Sequence, residues 1–389
     1  MLNGLLVLDL SRRLPGPLCG QMLGDLGADV IKIEDTMSGD DFRSSQPLYN
    51  GWGCQFHMVN RNKQGMRLNL STIEGRDIFK KLIIRSDILI SGMQPRTMSN
   101  WGLDYENLQG INPRLIYCSL TGYGQDGPYS EFPSHDINIM GISGILGLIG
   151  EKNGKPVIPG VQIAGVAGGT YQACIGILAA LYKRQISGKG CFLDIALLDG
   201  ITPLLSMPMA EYLAGGEMPQ RGKGSTRGDY AHYRIYETLD GKYLALGCLE
   251  PKYWQNFCRA IDREDLIQRQ YQPHPDQQQV IEIIEKIMKG KTREEWLSLL
   301  NRTEICISPV NSLKEVIDDP QIRFRNLWFK REHPVSGDVG QQAFPFTIDQ
   351  NRPGWRRGAP SHGEHSRAIL KELGYSDTEI DTLQNNNVI

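Results

Sequence analysis

The sequence has no CxxC pair among its 8 cysteines. They are scattered at 19, 54, 118, 174, 191, 248, 258 and 306, which argues against a zinc site or disulfide framework and for free thiols in a reducing compartment. No uninterrupted apolar run approaches the roughly eighteen residues that a membrane span needs. Charge of either sign is not in excess: 42 Lys and Arg face 44 Asp and Glu, for a net charge of -2. That balance leaves no footprint for a polyanion and excludes nucleic acid as a principal partner. Internal repeats and low-complexity tracts are also lacking. Met1–Asp9, MLNGLLVLD, has neither a basic region nor a small-residue cleavage site, and reads as a first strand rather than a secretory leader. What remains is ordinary: 389 residues, 40% hydrophobic and 22% charged, enough for roughly two or three domains. The expectation is a soluble cytoplasmic α/β protein.

The first third alternates strand and helix signals. Leu5–Leu10 is a short apolar run of the kind buried on both faces, and Leu18–Leu26 is a helix candidate ended by Gly27. Ala28–Glu34 and Ser86–Gly92 read as strands, with helical spacing over Thr72–Arg85 between them. Pro113–Gly124 carries another strand into a glycine loop. This order implies a parallel sheet wound with helices. Gly165–Ile186 reads as one long, weakly charged helix, and Phe192–Gly200 as strand-like. Gly215–Gly228 is glycine-rich and reads as a connection. His232–Leu249 alternates around an Asp240-Gly241 turn, and helical pattern follows to Leu300. The expected organisation is a first part over 1–214, a linker over 215–228, a small α/β domain over 229–320 and a return over 321–389.

Three local features carry chemistry. Gly122-x-Gly124-x-x-Gly127 follows a strand, so its amides can approach a phosphate or thioester oxygen, although a plain turn explains it equally. His135, in Ser134-His135-Asp136, has the chemistry of a general base or of a structural turn histidine. Glu250 stands where strand ends place catalytic groups, or serves as a surface cap. The basic run Arg61-Asn62-Lys63 suits phosphate oxygens. No metal-ligand spacing appears.

Taken together, Leu14–Glu34, Asn60–Leu70, Leu115–Pro128, Gly176–Gly190, Ser308–Gln321 and Gly363–Ser376 resemble, in order, the family III CoA-transferases, a superfamily that includes α-methylacyl-CoA racemase. The resemblance implies a large domain with a Rossmann-like parallel sheet built from both chain ends, a smaller α/β domain, and an interlocked dimer. It implies a CoA thioester as substrate and no permanently bound cofactor. Transferase members use an aspartate that attacks the thioester to give a mixed anhydride. Racemase members use the equivalent aspartate with a histidine as an acid–base pair. CoA contacts carry over to Arg61, Asn62, Lys63, Leu68, Arg96, Gly124 and Gln125.

One departure is decisive. The family's Gln-Ile-Ala-Asp segment here reads Gln162-Ile163-Ala164-Gly165, and glycine offers no carboxylate. Loss of an activated nucleophile costs on the order of 10⁴–10⁶ in rate. His135 and Glu250 match the racemase histidine and its glutamate partner. The leading expectation is a non-catalytic subunit of a heteromeric CoA-transferase, for example one acting on an aryl-substituted succinate, with a homologous sister chain supplying the aspartate. The alternative is an acyl-CoA isomerase using His135 and Glu250.

Overall fold

Leu6–Leu10 (β1) is apolar apart from Asp9 and buried almost throughout, as a strand covered on both faces must be. It lies at the centre of a six-stranded sheet with Asp29–Glu34 (β2), Lys63–Arg67 (β3), Ile88–Ser91 (β4), Ile116–Thr121 (β5) and Cys191–Ala196 (β6), in the order β3-β2-β1-β4-β5-β6. Every pairing is parallel. The winding reverses between β1 and β4, so the C-terminal end of β1 is the position where open α/β sheets form a ligand crevice. Pro15–Asp25 (α1) starts there, with proline in its first turn where no amide hydrogen bond is lost. Ile73–Arg85 (α2) starts at Thr72, whose hydroxyl accepts from the Gly75 amide.

This computed structural model describes residues 1–300 and 304–389, which divide into two compact units. The first comprises Met1–Ser143, Gly160–Leu204 and Pro320–Ile389, so the unit is built from both chain ends, although all six strands of its large sheet come from the N-terminal part. The His365 amide donates to Gly65 O at 2.8 Å and the Arg67 amide to Ser366 Oγ at 3.0 Å, which ties the helix Ser366–Glu372 to β3. Ala164–Ser187 is long and apolar enough to cross a bilayer by composition, but 56% of its most apolar window is buried inside the protein.

The second unit comprises Gly144–Pro159 and Leu205–Asp319. Tyr233–Glu237 (β7), Tyr243–Gly247 (β8) and Ile307–Pro309 (β9) form an antiparallel sheet in the order β9-β8-β7. Its core includes Trp254, Phe257, Ile284 and Trp296, and both indoles find carbonyl partners, Leu266 at 3.1 Å and Met288 at 2.8 Å. The glycine-rich stretch 215–228 belongs to this unit, where Arg227 reaches Glu211 at 3.3 Å.

Strand β3 was not anticipated, because its residues read as a basic run. The reason is a buried ionic layer. Lys63 Nζ meets Asp9 Oδ2 at 2.7 Å and Lys32 Nζ meets Asp40 Oδ2 at 2.9 Å, all four side chains being fully enclosed. Burial pushes the Asp9 carboxyl up, but the Lys63 and Lys32 ammoniums outweigh it and hold Asp9 below the usual carboxylate range.

Candidate active site

Asp136–Ile142 (α3) follows His135, and a π-helical stretch, Ala164–Thr170, leads into the long helix Tyr171–Ser187 (α4). Such stretches are frequent at functional sites. The run AGVAGGT forms it because small residues let the backbone press against neighbours. A Cβ on Gly168 would lie 2.5 Å from the carbonyl oxygen of Leu197, in the short helix Leu197–Ile201 (α5). One on Gly200, in α5, would lie 2.1 Å from Gly168 O, and one on Gly169 would lie 3.0 Å from Pro15 Cβ. These glycines are required by contact.

Gly165 differs. Its φ is not in the left-handed region, and a Cβ there would meet Asp136 Oδ1 and Leu14 Cδ2 at 3.7 Å and Gln162 Cβ at 3.8 Å, ordinary van der Waals distances. Position 165 thus has room for a Cβ. Its amide donates to Asp136 Oδ1 at 2.8 Å, which fixes α3 against the π-helical stretch. Leu14 lies just past the end of β1, so this corner occupies the crevice that the sheet order predicts.

His135 is exposed at the start of α3, its amide donating to Asn138 Oδ1 at 3.0 Å. Ser134 packs so tightly on the glycine loop that a Cβ on Gly122 would lie 2.0 Å from its hydroxyl. In that loop Gly124 has φ +93° and donates to Thr121 Oγ1 at 3.0 Å, while the Gln125 amide donates to Asp194 Oδ2 at 3.0 Å. Burial pushes the Asp194 carboxyl up, and Asp199 and Asp126 add to the rise against the Gln125 amide. The first unit therefore brings together Leu14, His135, Asp136 and Gly165. Glu250 is exposed at the N-terminus of Pro251–Ala260 (α6), in the second unit.

The candidate CoA contacts separate into two groups. Arg96 is exposed in the first turn of the helix Pro95–Asn100, and Gln125 is half-buried beside Gly124. Arg61, Asn62 and Lys63 are turned inward, so the phosphate grip expected of them is not on offer. Arg61 is held by Asp25 at 2.9 and 2.6 Å and by Gln341 and Gln342 O at 2.9 and 2.8 Å. Asn62 bonds Asp25 and Gly354 O, both at 2.8 Å, and Leu68 lies in the core. Sequence reasoning missed the link from Asp136 to Gly165. Its only trace was the Asp directly after His135.

Residues 2–366 match CoA-transferase family III. The chain belongs to this family. It is 33% identical over 395 residues to human succinyl-CoA:glutarate CoA-transferase, covering 100% of this chain and 90% of that protein. Human α-methylacyl-CoA racemase is 30% identical over 391 residues, covering 100% of this chain and 97% of the racemase. The beta subunit of succinyl-CoA–L-malate CoA-transferase from Chloroflexus aurantiacus is 32% identical over 403 residues, covering 100% of this chain and 98% of that subunit. The crystal structure of a CaiB/BaiF family protein from Brucella suis superposes with a TM-score of 0.84 at 33% identity, covering 96% of this chain and 99% of that one. These relatives support an enzyme of CoA transfer between a CoA thioester and a carboxylic acid.

Proposed function

We propose that this chain is the nucleophile-free subunit of a heteromeric family III CoA-transferase. A homologous sister chain supplies the aspartate that forms the mixed anhydride, within an interlocked dimer in the cytoplasm. The observation that supports this reading is Gly165, a position with room for a Cβ, an amide held by Asp136 and no carboxylate of its own. Likeness to a chain described as a beta subunit supports a two-chain enzyme. CoA contacts fall to Arg96, Gly124 and Gln125. Succinyl-CoA as donor and an aryl-substituted succinate such as benzylsuccinate as acceptor are the pair to assay first.

Native mass spectrometry of the untagged protein from its own host tests the proposal. A heteromer with a sister chain of similar mass is the expected result, with transferase activity in the pair and none in this chain alone. A homodimer with full activity overturns it. Gly165→Asp then asks whether the corner is still competent, and the expected outcome is measurable CoA transfer by a chain that has none.

A second reading, a one-base isomerase acting at the carbon next to the thioester, is supported by His135 standing beside Asp136 and by likeness to the human racemase. Deuterium uptake at that carbon of a branched acyl-CoA, lost in His135→Ala, is what it requires.

A further inference from the structure

A cavity of about 600 Å³ opens in the first unit along the π-helical stretch, within the range typical of small-molecule sites. Val166, Ala167 and Tyr171 line it from the π-helical stretch and α4, and Trp328 and Phe344 line it from the C-terminal part of the chain. Leu14 and Gln162 line it as well, and these two residues flank the open position at Gly165. The cavity therefore begins within a side chain's length of the corner where the family's acyl chemistry takes place.

Its depth is graded. Tyr171, Trp328 and Val161 are exposed at 43%, 45% and 64%, whereas Leu18, Val59 and Phe344 are buried. Aromatic side chains at a rim over an aliphatic and aromatic floor suit a ligand with a bulky apolar end. The charged groups point the same way. Arg61 is the one cation among the lining residues. Its Nε and Nη2 are taken by Asp25, and its Nη1 by Gln341 and Gln342 O. A second carboxylate placed in the cavity would thus be buried opposite a carboxylate already paired, with no open cation to meet it.

We propose that this cavity binds the aryl or branched-alkyl end of an apolar carboxylic acid or of its CoA thioester, and that the carboxylate-bearing end of a short dicarboxylate does not enter it. Glutarate and malate, which appear in the names of relatives, have no apolar end to fill it. The site is one of binding, and its existence does not depend on which chain carries the nucleophile.

Isothermal titration of the full-length chain with butyrate, 4-phenylbutyrate and glutarate tests this. Affinity is expected to rise with apolar size by about fourfold per buried methylene equivalent, and glutarate is expected not to displace phenylbutyrate. Ala167→Phe, which fills the cavity from the helix wall, should weaken phenylbutyrate by about tenfold or more. Trp328→Ala, at the exposed rim, should weaken it too, and provides the reading if the first variant melts early. Absence of phenylbutyrate binding, glutarate binding at least as tight, or affinity unmoved by both variants overturns the proposal. None of these outcomes bears on the heteromer, which mass spectrometry and Gly165→Asp decide separately.

Discussion

Two regions of the first unit treat charge in opposite ways. Beneath β1, β2 and β3, Asp9, Lys63, Lys32 and Asp40 are enclosed and mutually satisfied, with Ser11 O accepting from Lys32 at 2.9 Å. At the Gly165 corner a single carboxylate, Asp136, accepts a backbone amide, and the adjoining position is vacant of functional groups. The first region is rich in charge and closed to solvent. The second is poor in charge and has room. A charged residue in the sequence therefore says little about chemistry until its partners are known, while a missing one can be decisive.

The largest test of that contrast is Asp9→Ala. It leaves the buried Lys63 ammonium without its carboxylate, while Lys32 keeps Asp40, and should cost about 3–5 kcal/mol, read from the urea midpoint. Equal stability would mean that the layer is hydrated rather than closed. Next comes a paired glycine experiment. Gly200→Ala, whose Cβ would fall 2.1 Å from Gly168 O, should lose about 1–3 kcal/mol. Gly165→Ala meets only ordinary contacts and should be neutral or stabilising by up to about 1 kcal/mol. If the two variants behave alike, steric need rather than lost chemistry explains Gly165.

A third test is one of pH. His57 is stacked on Trp52 and bonded to Ser336 Oγ at 2.9 Å; burial, then the charges of His333 and Arg43, push its pKa down to about 4. Unfolding returns it towards 6.5, so between these values the unfolded chain binds more protons. Its contribution is complete above pH 6.5 and is lost as pH falls through about 4. Urea midpoints of wild type should drop across that window more steeply than those of His57→Gln, and identical slopes would exclude His57 as the source.

Much of the fold was legible because apolar runs betray strands buried on both faces: β1, β2, β4 and β5 all read directly from the sequence. Strand β3 did not, since KQGMR shows a lysine, a glycine and an arginine where such a strand normally shows aliphatics. Pairing inside the protein inverted the pattern. The same inversion made Arg61 and Lys63 look like phosphate ligands when their charges are spent on Asp25 and Asp9. Gly165 was legible as a departure from a family pattern, but that it is free of steric need, unlike Gly168 and Gly200, required coordinates.

The interruption of the first unit by the second also has a consequence for biosynthesis. Strand β3 and the helix Ser366–Glu372 are joined by short hydrogen bonds although about 300 residues separate them in the chain. During translation the sheet emerges early and waits for its last covering, while the second unit is already complete when residue 319 leaves the ribosome. The nascent large unit thus spends the end of synthesis with one flank open.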